Sequence, residues 1–217
     1  MRELFRWFMT ALALTIVLSA CDEPTPLKEV RSAQSVVRHA FDTLATHPPA
    51  AVSLFLDAAE IHEMNDSLAQ AAIALLNAAN IEDEFLENYE TASMHAARSR
   101  AHWERLDNQM EVANLLKYCG FLSGMLGEFG HAKIQLSEAK LIYKELGYKP
   151  GQVVCDFNLA KFYFEQGLYD ESILSLVKAQ AYWIKVGDSA RLEIANRFGQ
   201  ELYEAAGWKH VDVSLED

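Results

Sequence analysis

The chain has 217 residues, of which 51% are apolar, 23% charged and 11% aromatic, which is enough to bury a sizeable core and too apolar for a disordered chain. Five prolines and three cysteines exclude a collagen-like or disulfide-dense scaffold. With 19 Lys and Arg against 31 Asp and Glu the formal charge is −12 and no basic stripe is present, so nucleic acid is not an expected partner.

The chain opens with Met1-Arg2-Glu3-Leu4-Phe5-Arg6, and then Trp7 to Ala20 runs without a charge up to Cys21. This has the form of a secretion signal: as a helix the uncharged run rises only about 21 Å, short of the roughly 30 Å hydrocarbon core of a bilayer. Its last residues, Leu18-Ser19-Ala20-Cys21, resemble a bacterial lipobox. That resemblance implies cleavage before Cys21, acylation of its sulfur and new amino group, and attachment to a membrane by two or three chains, a firm anchor where one chain is marginal. Asp22 resembles the residue that retains enteric lipoproteins in the inner membrane, which implies a periplasm-facing location on that membrane rather than the outer one. Pro24-Thr25-Pro26 reads as a short stiff tether, each proline fixing its own φ and biasing its predecessor away from helix.

From Leu27 onward the pattern is helical and repetitive, with no period-2 alternation of strands. Leu146-Gly147-Tyr148 lies 40 residues before Val186-Gly187-Asp188 and 40 after Leu106-Asp107-Asn108, and Met64-Asn65-Asp66 precedes the last of these by 42. Each triplet is expected to close one helical hairpin and open another. Small residues such as Gly120, Ala132, Ala160, Ala179 and Gly199, set at helical spacing among large ones, let two helices approach closely. Gly127 and Gly167 fall where the first helix of a hairpin must stop and turn with positive φ. Every glycine lies at or after Gly120, so the first half is expected to have longer or less regular loops, with polar connections such as Asn65-Asp66-Ser67 and Ile81-Glu82-Asp83-Glu84.

The best unit reads Leu159-Ala160, Tyr163, Gly167, Tyr169, Ser172, Leu176 and Ala179, and Cys119-Gly120, Ser123, Gly127, Phe129, Ala132, Leu136 and Ala139 repeat it 40 residues earlier. Phe198-Gly199, Leu202, Ala206 and Trp208 start it once more, and Ala78, Ile81, Tyr89, Ala92 and Ala96 form an earlier copy with about two inserted residues. These residues resemble the tetratricopeptide repeat in a longer-period form, strongly from Asp107 to Gly207 and faintly before Asn65. The resemblance implies an all-α fold, an α-solenoid of antiparallel helical hairpins. The expected organisation is a leader at 1–20, a lipidated cysteine and tether at 21–26, a degenerate first hairpin at 27–64, repeats with a C-terminal capping helix at 65–209, and a tail at 210–217.

Catalytic and metal chemistry find little footing. Glu60-Ile61-His62-Glu63 has half the ligands of a zinc helix, because Asp66 stands where a second histidine is needed, so a solvated helix face is the expected reading. His95 and His102 share a face, but Arg98, Ser99 and Arg100 between them point to a charged surface. No nucleophile elbow or phosphate-binding glycine loop is present. Cys119 and Cys155 sit in apolar helical stretches, where they serve as small core hydrophobes or, in an oxidising compartment, as a disulfide between adjacent first helices. No cofactor and no metal are expected.

The tetratricopeptide resemblance implies that the first helices of successive hairpins line the surface that holds a protein or peptide partner. Carried onto this sequence, the lining is Asn114, Lys117, Phe121 and Met125, then Val154, Phe157, Lys161 and Phe164, then Glu193, Asn196, Gln200 and Tyr203. Its aromatic and apolar members suit a partner's apolar side chains and its two lysines suit carboxylates. Lys117, Asn158 and Arg197 fall where the carboxylate-clamp subfamily places ligands for a peptide terminus, although Phe121 and Glu193 replace two other clamp residues and Glu193 would repel a carboxylate. The expected function is therefore a membrane-anchored, non-catalytic adaptor. Its alternatives are self-association, through the aromatic surface or the incomplete last repeat, and a hydrolase built on Glu60, His62 and Asp66 or on a thiol.

Overall fold

The computed structural model describes residues 27–208, so the leader, Cys21, the tether and the tail lie outside the described residues. Among the described residues there are nine helices and no strand: α1 (Leu27–Leu44), α2 (Pro48–Met64), α3 (Leu68–Glu84), α4 (Tyr89–Arg105), α5 (Gln109–Met125), α6 (Phe129–Glu145), α7 (Lys149–Glu165), α8 (Tyr169–Val186) and α9 (Ser189–Ala205). The fold is all-α and of solenoid type: α1, α2 and α3 pack in succession in one part of the chain, and α5 to α9 in the other. The chain divides into two compact units, one ending at His102 and the other beginning at Trp103.

One turn motif produces the regularity. One to three places past the helix end, and in most cases two, a residue takes the left-handed conformation: Asp66, Glu87, Asp107, Gly127, Gly147, Gly167, Gly187 and Gly207, with φ between 52° and 77°. The next residue's N–H then donates back to the carbonyl five positions earlier, as in Ser67 to His62 (2.8 Å), Glu128 to Ser123 (2.8 Å), Leu168 to Tyr163 (2.9 Å) and Trp208 to Tyr203 (2.8 Å). This is the six-to-one bond that closes a helix C-terminus on its own carbonyls. In the first half the turns at Asp66 and Asp107 are as tight as those of the second, contrary to the expectation from the lack of glycine, whereas the one before Pro48 has no left-handed residue and the one at Glu87 is longer, as expected. Acidic side chains occupy the left-handed position there, a conformation that aspartate tolerates best after glycine and asparagine.

The sole departure within this series is Asn88, whose N–H donates to Glu82 six positions back at 2.8 Å. One extra residue thus sits in the α3–α4 turn, where the sequence suggested about two, and Ile81 to Glu84 belong to α3 rather than to a connection. Pro48, Pro49 and Pro150 fall in the first turns of α2 and α7, where a missing N–H leaves no bond unmade.

In the first unit the core is built largely of alanine, with Ala51, Ala58, Ala59, Ala71, Ala72, Ala78 and Ala79 all fully buried around Phe55 and Leu75. Such small side chains bring α2 and α3 close together. Ser99 of α4 adds a buried hydroxyl that donates to the Ala72 carbonyl at 2.8 Å.

In the second unit the core is larger-grained. Val112, Leu116, Leu136, Tyr143 and Phe162 form one cluster, and Phe157, Leu176, Trp183, Leu192 and Phe198 another. Gly124 gives the Phe162 ring its place in the first cluster: a Cβ there would lie 2.0 Å from the tip of that ring and force it to move. Ser172, 40 residues after Ala132, donates to the Ala160 carbonyl at 2.7 Å and so loses no hydrogen bond on burial.

Candidate binding surface on the first helices

Within the second unit α5, α7 and α9 are the first helices of successive hairpins and lie side by side. Residues of α5 and α7 are in contact, and α7 meets α9 through Phe164 and Phe198, whose rings are 5.5 Å apart and nearly perpendicular. The hairpin turn described above sets each helix's start, and Asn108 and Asp188 fix two of them by accepting hydrogen bonds from the N–H groups of Glu111 (3.3 Å) and Arg191 (3.1 Å).

On α5, Asn114 is half-buried and already engaged: it accepts from the Tyr143 hydroxyl at 2.7 Å and donates to Glu111 at 3.3 Å. Lys117, one turn on, is half-buried and makes no hydrogen bond or ion pair among the described residues. Burial lowers the pKa of its ammonium, with the field of Arg191 acting in the same direction and Glu111 opposing. Phe121 is half-buried against the first core cluster, and Met125 is exposed at the end of the helix.

On α7 the surface departs from expectation at two positions. Phe157 was expected to line the wall but is core, only 8% exposed, edge-on to Trp183 (5.2 Å) and to Phe198 (5.9 Å). Asn158, a candidate clamp ligand, is buried as well. The physical reason is that α7 is flanked by first helices on both sides and by second helices behind, so neighbouring rings close over a wider arc of its surface than the repeat pattern alone conveys. Val154 stays half-buried, and Phe164 is half-buried between Tyr169 (6.0 Å) and Phe198. Lys161 places its ammonium 4.8 Å from the centre of the Phe157 ring, and burial lowers its pKa while Glu201 pulls it back up.

On α9 most of the expected ligands are spoken for. Asn196 accepts from Gln180 at 2.9 Å, Arg197 pairs with Glu193 at 3.5 Å, Gln200 donates to Glu204 at 3.1 Å, and Tyr203 stacks edge-on with Trp208 at 6.0 Å. The Arg197 pair is exposed and of the i,i+4 type, so an incoming carboxylate competes with it at small cost.

No protein-family model and no curated protein matches the chain. The side chains themselves therefore carry the functional reading.

Sequence reasoning missed three features of this unit. Asp156 is a buried carboxylate on α7 that accepts from Lys140 of α6 at 2.5 Å. Its only sequence signal is a charge inside the stretch Val153 to Ala160, which is otherwise apolar except for Asn158. Arg191, whose charge acts on Lys117, is paired with Asp188 one turn back. Tyr143 reaches Asn114 from a second helix, and its hydroxyl pKa is raised chiefly by burial.

The remaining candidates resolve as follows. Cys119 and Cys155 are both buried and are not joined in a disulfide, and burial pushes the Cys155 thiol up to about 12. His62 is buried rather than on a solvated face, and burial lowers its pKa. His102 is mostly buried and its Nε2 lies 2.8 Å from Glu63, which also meets Arg98 at 3.3 Å, so this face of α4 docks on α2 and is not simply a charged surface. Among the described residues, no three His, Cys, Asp or Glu side chains are grouped so that they could hold a metal, and no helix is long and apolar enough to cross a membrane.

Proposed function

We propose that the protein is a lipid-anchored, periplasm-facing binding module of tetratricopeptide type that holds an acidic segment of another protein along α5, α7 and α9. The observation that carries this reading is the pair Lys117 and Lys161: two half-buried ammonium groups on adjacent first helices, neither bonded to a carboxylate. A cation kept from water without an anion pays part of the desolvation in advance, so a ligand carboxylate gains more there than at an open lysine. Phe121, Val154 and Phe164 beside them offer apolar surface for the ligand's other side chains. The reading contains no catalytic step.

The anchoring half rests on Leu18-Ser19-Ala20-Cys21. Labelling cells with an alkyne analogue of palmitate is expected to mark the wild-type protein and not Cys21→Ala. The binding half is tested with a photo-crosslinker at Met125, comparing wild type with the Lys117→Gln, Lys161→Gln double variant. One dominant adduct that is lost in the double variant supports the reading. An adduct of unchanged yield places the partner elsewhere.

A further inference from the structure

The sequence after Trp208 reads Lys209-His210-Val211-Asp212-Val213-Ser214-Leu215-Glu216-Asp217, which lies outside the described residues. The repeat register would send it behind α9 as a second helix, with Asp212 in the place of Ala132 and Ser172 and Glu216 in that of Leu136 and Leu176. Those four residues are fully buried, so this packing would bury two carboxylates against α9, which is costly without partners. The segment instead carries a pattern of its own, an apolar residue followed by an acid, at Val211-Asp212 and again four residues on at Leu215-Glu216. From Val211 to Asp217 it has three carboxylates and no Lys or Arg.

The first-helix surface offers the matching pattern. Within one helical turn, α7 presents Lys161 and Phe164 and α5 presents Lys117 and Phe121, all four half-buried. The carboxylates acting on these ammonium groups, Glu201 on Lys161 and Glu111 on Lys117, make no ion pair with them, and Glu111 is held by Asn114. Arg191, the other cation near Lys117, is paired with Asp188. On α9 itself Glu193, Glu201 and Glu204 outnumber Arg191 and Arg197, which directs an acidic segment past α9 towards α7 and α5. The segment also starts at the rim of this surface, because Trp208 stacks on Tyr203 of α9 at 6.0 Å. Packed helices lie about 8–10 Å apart and four extended residues span about 13 Å, so Asp212 reaches α7 from Trp208 and Glu216 reaches α5 from Asp212. We infer that Val211 to Asp217 occupy this surface in their own chain, Asp212 on Lys161 and Glu216 on Lys117, with Val211 and Leu215 against Phe164 and Phe121, and that a partner binds by displacing them. A segment tethered at the rim acts at an effective concentration on the order of millimolar, so a few weak contacts hold it and a partner must outmatch them. The inference rests on the ligand surface proposed above and adds a competitor for it within the chain.

The test puts a photo-crosslinking amino acid in place of Ser214 in the full chain, purified in mild detergent, and maps its attachment by mass spectrometry. Mixing isotopically light and heavy chains separates attachment within a chain from attachment between copies. Attachment to α5 and α7 of the same chain is expected, with a yield at least about threefold lower in Asp212→Lys, Glu216→Lys and in Lys117→Gln, Lys161→Gln. The first of these variants changes only the tail, so its result does not depend on how the helices tolerate substitution. Attachment to α8, attachment to another copy, or a yield that neither double variant lowers overturns the inference. In cells, the crosslinker at Met125 reads the ligand surface, and its partner adduct is expected to increase in Asp212→Lys, Glu216→Lys; an unchanged adduct overturns the competition. Tail attachment without any partner adduct upholds the intramolecular contact and removes the proposed partner, whereas a partner adduct without tail attachment overturns this inference and leaves the ligand surface standing.

Discussion

Phe157→Ala separates a core role from a surface role at one position. The ring is 8% exposed, stands edge-on to Trp183 and Phe198, and supports the Lys161 ammonium on its face. Truncating a buried phenylalanine to alanine costs about 3–5 kcal/mol, combining lost transfer from water with the cavity left behind. Two edge-on ring contacts place the change in the upper half of that range, since each such pair is worth about 0.5–1.5 kcal/mol beyond burial. A loss of about 4 kcal/mol lowers the melting temperature by roughly 16–32 °C if the second unit unfolds cooperatively as a domain of about 100 residues. In a repeat fold stability is shared between neighbours, so the loss is expected to be local. Hydrogen exchange should accelerate in α7, α8 and α9, with little change in α1 to α3. A Phe157→Ala protein that melts within about 2 °C of wild type and keeps its exchange pattern, while losing its partner, would refute the core assignment and return this ring to the surface.

Gly147→Ala tests the turn motif in isolation: φ is +69° and nothing lies within 4 Å of an added Cβ, so the expected loss of about 1–2 kcal/mol is purely conformational and readable in a urea titration. His62 and His95 have lowered pKa values, His62 through burial and His95 through burial with Arg98 adding to it. The unfolded chain then takes up protons first, so stability present above pH 6.5, the ordinary histidine value, is lost as pH falls below it. The urea midpoint of the first unit is expected to fall between pH 7.5 and pH 5, and the fall is expected to shrink in a His62→Gln, His95→Gln variant. The Cys155 thiol, pushed up to about 12 and buried, is expected to resist a thiol-reactive dye at pH 8 until denaturant is added; fast reaction in the native protein counts against its placement.

The hairpin architecture was legible in the chain because it is a local property written many times. Apolar residues at helical spacing, small residues at repeated positions and a turn at fixed intervals each depend on only a few neighbouring residues. The triplets around Asp66, Asp107, Gly147 and Gly187 all proved to be left-handed turns, and Gly127 and Gly167 end first helices as expected. What the local pattern misjudged was the first half, where an aspartate or glutamate adopts a conformation usually read only from glycine. Tertiary structure alone decided which side of each first helix remains open. Phe157 and Phe164 share a face of α7 one to two turns apart, yet Phe157 is enclosed by Trp183 and Phe198 while Phe164 stays half-buried. That difference depends on residues up to 41 positions away, which no helical period encodes. The pairing of Asp156 with Lys140 and of Asn114 with Tyr143 was hidden for the same reason: a polar side chain declares its type in the sequence, but its partner is chosen by the helix packed against it.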